Sequence, residues 1–196
     1  MTRFLAGAVL GALLAIAAPL AWLASGGADV AATAGPGRLE AWLAPRVRDA
    51  SVAAQAPAAP NPRADAWRQA LPHYRENCLL CHGAPGVEVG EIARGLSPAP
   101  PLLDSPAIQE HSDGELFWVV RNGLRMTGMP AFAPTHTDEE LWEIVALLRH
   151  LGDLSPADLA LLREAAADEA HHHEAVEEPA APHVHGTGES HEPHGP

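Results

Sequence analysis

The stretch Tyr74-Arg75-Glu76-Asn77-Cys78-Leu79-Leu80-Cys81-His82-Gly83 decides how this chain is read. It holds both cysteines of the sequence, three residues apart, with a histidine directly after the second. Two thiols at that spacing reach the two vinyl groups on one edge of a porphyrin. The next imidazole then lies under the ring, where it can bind a central iron. Cys-x-x-Cys-His is the attachment signature of a covalent haem.

Three other readings of the cysteine pair are weaker. A thiol redox pair expects a βαβ context, and no strand pattern is visible. A structural zinc site takes four ligands, usually as two spaced Cys/His pairs. A disulfide between residues this close would shut a very small loop and contribute little stability.

Outward from the motif, the pattern is helical. Pro62 to Asn77 reads as a first helix with Trp67, Leu71 and Tyr74 on one face, although Pro72 should kink it or end its first part. Residues 83–112 are rich in Gly and Pro and read as a long loop, which in a domain of this size wraps something or carries function. Asp113 to Asn122 reads as a second helix stopped by Gly123. A further loop, 124–136, contains Met126, Gly128, Met129 and Pro130. Thr137 to Leu151 is the best-defined helix: Thr137 caps it, Glu140 completes a capping box, and Leu141, Ile144, Val145, Leu148 and Leu151 form its stripe. Ser155-Pro156 opens another helix to about residue 167. So much irregular chain around so few helices needs an organising element, which a bound cofactor supplies.

The N-terminus is apolar from Phe4 to Ala24 with only Arg3 charged before it. That is long enough to cross a bilayer, with residues 1–3 left in the cytoplasm by the positive-inside rule. A cleaved signal peptide is the alternative, and both readings export the body of the protein. Residues 34–62 and 179–196 hold nine of the 19 Pro and five of the 17 Gly, and a single core falls between them. The expected organisation is an anchor or signal segment at 1–27, a linker at 28–61 in which Arg38 to Val47 forms a short surface helix, a domain at 62–163, and a tail at 164–196. All 12 basic residues are Arg, against 25 acids. Such a balance argues against nucleic-acid binding and permits a basic protein partner. The tail holds seven of the 12 His with eight acids. Its composition reads as disordered, with weak copper or zinc binding as one option and simple solvation as the other.

Tyr74–Gly83, the segment ELFWVVRNGLRMTGMPAF (115–132) and the helix TDEELWEIVALLRHL (137–151) together resemble the class I, monohaem cytochromes c. The likeness covers roughly residues 64–152, in the family's order. Asp29–Thr33 and Ser51-Val52 are similar, more weakly, to membrane-anchored bacterial members. The resemblance implies an all-α fold of three to five helices wrapped around one covalent haem c. It implies Cys78 and Cys81 as attachment points, His82 as proximal iron ligand and Met129, inside Gly-Met-Pro, as the second, with Met126 its competitor. A proline carbonyl within Pro98–Pro101 is expected to accept the N–H of His82. Trp118, Arg121, Arg125 and Trp142 are candidate contacts of the haem propionates, while His73, His111, His136 and His150 read as solvated or capping residues. The implied function is one-electron transfer outside the cytoplasm with a respiratory complex, oxidase or dehydrogenase, rather than catalysis. Metal handling by the tail, or a haem enzyme with a labile sixth ligand, are the competing functions.

Overall fold

The computed structural model describes residues 2–27, 29–60 and 66–164. Among these the chain is helical, and its nearest approach to a strand is an isolated bridge between Ala84 and Val87. The architecture is therefore all-α. The expectations of disorder and weak metal binding in the His- and acid-rich tail fall outside the described residues.

Helix α1 is Thr2–Ala24 and buries no side chain against the rest of the protein. It is the one described helix long and apolar enough to cross a membrane. Helix α2, Arg38–Gln55, runs well past the expected end at Val47. Nothing between Arg46 and Gln55 breaks a helix, and burial of Val52 against the domain rewards the extra turns.

Among the described residues the domain opens on a 3-10 turn, Ala66–Ala70, followed by α3, Leu71–Asn77; the expected helix start at Pro62 lies outside them. The single long helix expected here is thus divided, and Pro72 is the reason. It occupies the first turn of α3, where its missing N–H costs nothing. Cys78 joins α3 to α4, Leu79–His82. The long loop carries two single turns of helix, α5 (Glu91–Arg94) and α6 (Pro106–Gln109). Helix α7, Asp113–Asn122, starts in a capping box made by Ser112 and Glu115. Helix α8, Asp138–His150, has the expected box of Thr137 and Glu140 and tightens into a 3-10 turn, Leu151–Asp153. Residues 156–164 are again helical.

Helix α8 crosses the 66–74 segment and packs against α7. Its stripe is the centre of the core: Leu141, Ile144, Val145, Leu147, Leu148 and Leu151 are all buried, together with Tyr74, Trp67 and Phe117. The indole of Trp142 stacks on Phe117 at 4.1 Å between ring centres, and Trp67 stacks on His150 at 5.1 Å. A polar tie holds the loop to this core. Arg149 pairs with Asp113 at 2.8 Å and donates to the carbonyl of Gln109 at 2.8 Å and to that of His111. Gln109 in turn donates to the carbonyls of Leu103 and Leu148.

Leu148, 3 % exposed, provides the test of this core. Leu148→Asp puts an unpaired charge among aliphatic side chains, a change costing more than about 4 kcal/mol, a large share of a typical domain's stability. The expected result is loss of the cooperative thermal transition by circular dichroism, and a retained transition would place Leu148 outside the core.

Candidate functional site

The motif forms one continuous helical turn. The Cys78 N–H donates to the Tyr74 carbonyl at 2.9 Å, and the N–H groups of Cys81 and His82 donate to the Cys78 carbonyl at 3.1 and 2.9 Å. A spacing of three along a helix brings both thiols to one side of it. Tyr74 locks the turn from beneath: fully buried, its hydroxyl donates to the Gly83 carbonyl at 2.6 Å. Burial pushes the phenol's pKa well above its ordinary value. Burial likewise pushes the Cys78 thiol up to about 12, with a further contribution from Cys81.

The His82 ring is fixed by the loop. Its Nδ1 lies 2.8 Å from the Pro101 carbonyl oxygen. A carbonyl only accepts, so Nδ1 carries the proton and Nε2 is left with a free lone pair. Burial lowers the pKa of His82, and the Pro101 contact offsets only part of that. A neutral imidazole with a free Nε2 is the form that ligates a metal. Of the four residues Pro98–Pro101, the structure therefore selects Pro101.

Cys78, Cys81, His82 and Met129 all line one cavity of about 390 Å³. This is the size range of cofactor pockets. Its walls are chiefly apolar, drawn from α7 (Leu116, Val120), α8 (Ile144, Leu148) and the loops (Leu96, Pro98, Pro100, Phe132). An apolar cavity edged by two thiols, a neutral imidazole and a thioether fits a covalently attached haem in both shape and donor set.

The loop carrying Met129 is laced back onto α7. Leu124 N–H donates to the Met129 carbonyl, Phe132 N–H to Val120 and Ala133 N–H to Arg121. The Met129 N–H donates to the Thr127 hydroxyl at 3.1 Å. This fold-back requires Gly123. Its φ is +66°, and a Cβ there would come within 2.8 Å of the backbone of Met129, Pro130 and Ala131. Met126, by contrast, takes no part in the cavity wall and is 92 % exposed.

The structure places the other residues singled out in the sequence. Trp118, Arg121, Arg125 and Trp142 are absent from the cavity wall. Arg121 instead pairs with Asp138 at 2.9 Å, and Trp142 is stacked on Phe117. The arginine that does line the cavity is Arg48 of α2, next to Asp49 and Val52. Sequence reasoning missed it by ending α2 at Val47; an unbroken helical stretch to Gln55 was the available signal. His111 also lines the cavity, and its Nδ1 lies 3.8 Å from Glu115. His73 and His136 are partners rather than solvated residues: His73 Nδ1 is 3.2 Å from His136 Nε2. His136 Nδ1 contacts the Thr135 hydroxyl and the Phe132 carbonyl, which links α3 to the chain just after the Met129 loop.

Fold and site together define a c-type cytochrome domain. In agreement, the family model described as cytochrome c oxidase, cbb3-type, subunit III matches residues 65–148, which supports a c-type cytochrome domain over that span. Such a domain carries covalent haem c, typically one, and serves electron transport. No curated protein matches the chain significantly.

Gly123 and His73 each put this geometry to a test. Gly123→Ala forces a side chain into left-handed backbone and against the 129–131 segment. It should cost about 1–3 kcal/mol or more, read as a lowered midpoint in chemical denaturation, and an unchanged midpoint would mean the loop relaxes freely. His73 bears on the pH dependence of stability. Burial and then the neighbouring His136 lower the pKa of His73, against opposing pulls from Glu76 and Glu140. The unfolded chain therefore takes up a proton near pH 6.5 that the folded chain does not, so stability declines as pH falls below that value. Glu115 and Glu140, held below the ordinary carboxylate range by their capping hydrogen bonds, act at more acid pH. Thermal midpoints between pH 8 and 5 should thus fall less in His73→Gln than in the wild type, and parallel curves would remove His73 from the account.

Proposed function

We propose that this protein is a one-electron carrier in which Cys78 and Cys81 bind the haem through thioethers, and His82 and Met129 ligate its iron. The observation that carries the reading is the convergence of these four side chains on one apolar cavity, with the Nδ1 of His82 already committed to Pro101. When bound, the haem supplies a reversible one-electron couple. The rest is the work of the chain. Pro101 holds the imidazole in the tautomer that leaves Nε2 free. Gly123 and the backbone bonds of the 124–133 loop hold the Met129 thioether at the cavity. The apolar walls keep water from the iron, and a Met/His pair in such surroundings favours a raised potential. Were His82 and Met129 both to hold the iron, no position would be open to a substrate, which argues for a carrier rather than an enzyme.

In this reading residues 62–163 form the haem domain and α1 is a retained anchor with the domain outside the cytoplasm. The description of the matching family points to an oxidase complex as redox partner. An anchor concentrates the domain near such a partner, so that transfer does not wait on diffusion through the bulk.

The test is the optical spectrum of the detergent-extracted protein beside that of Met129→Ala, with haem staining of a denaturing gel. Haem that stays with the denatured chain, a low-spin reduced spectrum, a thioether–iron band lost only in the variant, and carbon monoxide binding gained only in the variant are expected. Absence of covalent haem would overturn the attachment. An unchanged Met129→Ala spectrum would overturn the assignment of the sixth ligand.

A further inference from the structure

Helix α2 has two unlike sides. Leu39, Leu43 and Val47 stand four residues apart and form one stripe, with Trp42 beside them. Their exposures are 71, 44, 58 and 55 %. The other side faces the domain. Val52 is 5 % exposed there and shares the cavity wall with Arg48. The chain just after α2 rests directly on α7: a Cβ at Gly114 would overlap the Pro57 carbonyl. The domain thus uses one side of α2 and leaves four large apolar side chains of the other uncovered, an arrangement that marks an interaction surface.

Three observations identify what covers it. First, α2 begins at Arg38 and α1, apolar enough to cross a bilayer, ends at Ala24. The intervening residues 25–37 extend no more than about 45 Å, which bounds how far α2 can stand from the membrane. Second, the helix carries Arg38 and Arg46 against Glu40, with Arg48 on the cavity side paired to Asp49 at 2.7 Å, in a chain whose net charge is −13. A basic protein partner would be drawn to the acidic domain; anionic lipid headgroups are drawn to α2. Third, the Arg46 guanidinium lies over the Trp42 ring at 4.7 Å. An indole bearing a cation suits the depth where acyl chains meet headgroups.

We propose that α2 lies along the membrane surface, with Leu39, Trp42, Leu43 and Val47 sunk into the bilayer interface and the haem cavity held above its opposite side. The proposal rests on the reading of α1 as a retained anchor. It gives the tether an orienting function. Because α2 touches lipid on one side and lines the cavity on the other, the edge of the cavity formed by Arg48 and Val52 is kept at a fixed, short height above the bilayer. The redox partner this favours is one whose own centre lies at that same membrane surface.

The experiment uses the full chain, haem-loaded and air-oxidised, in vesicles containing anionic lipid. The native cysteines are consumed by the haem, so a thiol introduced at Leu43→Cys, Val47→Cys or, as control on the domain-facing half of the helix, Ala41→Cys takes a nitroxide label alone. Collision with dissolved oxygen, which partitions into lipid, is compared with collision with a water-soluble nickel chelate. An unaltered haem spectrum confirms that each variant is folded. The expected result is an oxygen-to-nickel ratio several-fold higher at 43 and 47 than at 41. Equal, water-like ratios at all three overturn the proposal. Labels at 43 and 47 shielded from both reagents also overturn it, since they mark contact with protein, a second copy or a partner. The intact mass of the extracted protein tests the anchor separately. Loss of α1 defeats that reading whatever the labels report, whereas a retained α1 with water-exposed labels defeats the surface helix alone.

Discussion

The stripe of α8 is asked to satisfy two surfaces at once. Ile144 and Leu148 belong to the core that α8 shares with the 66–74 segment and α7, and the same two side chains form part of the cavity wall. Core and cofactor pocket are therefore one apolar body rather than two. Each buried leucine contributes about 1.5–3 kcal/mol on the domain side, while the cavity-facing part is completed when an apolar cofactor fills the space. A domain with so few regular elements gains from this economy, because the ring system takes the place of side chains that a helical bundle of the same length would have to supply.

Around that body the irregular segments are held by polar ties to backbone as well as by packing. Arg149 binds the carbonyls of Gln109 and His111, Pro101 engages His82, and Tyr74 engages Gly83. The Met129 loop returns to α7 through Leu124, Phe132 and Ala133. Loop carbonyls that would otherwise be orphaned at the edge of an apolar cavity are thereby satisfied. The ties also fix the two side chains proposed as ligands: His82 by a bond to the distant Pro101 carbonyl, and Met129 by bonds within its own loop, which is itself tied back to α7. Preorganisation of this kind suits the transfer of electrons by a bound haem better than chemistry on a substrate.

The segment between the apolar N-terminal helix and the domain belongs to the same logic. Had it been a plain spacer, its composition would have sufficed. Instead it supplies Arg48 and Val52 to the cavity and presses against Gly114, while presenting an apolar stripe outward. The haem domain is consequently coupled to whatever that stripe rests on.

The attachment turn, the capped helix 137–150 and the apolar N-terminus were all legible in the sequence, because each depends on residues near in the chain: a thiol spacing, a capping box, an unbroken hydrophobic run. Pro72 announced a break without saying that the chain before it would be a 3-10 turn. Which proline carbonyl meets His82, why Met129 rather than Met126 faces the cavity, and that Arg48 rather than Arg121 or Arg125 reaches it, were decided only by the tertiary structure. These depend on where loops close over the core. Arg121 was drawn away by Asp138, seventeen residues on, and His73 by His136, sixty-three residues on. Local pattern determines which elements form, but pairing across such separations is settled by how the packed elements bring distant side chains together, which is not written in any short stretch of the chain.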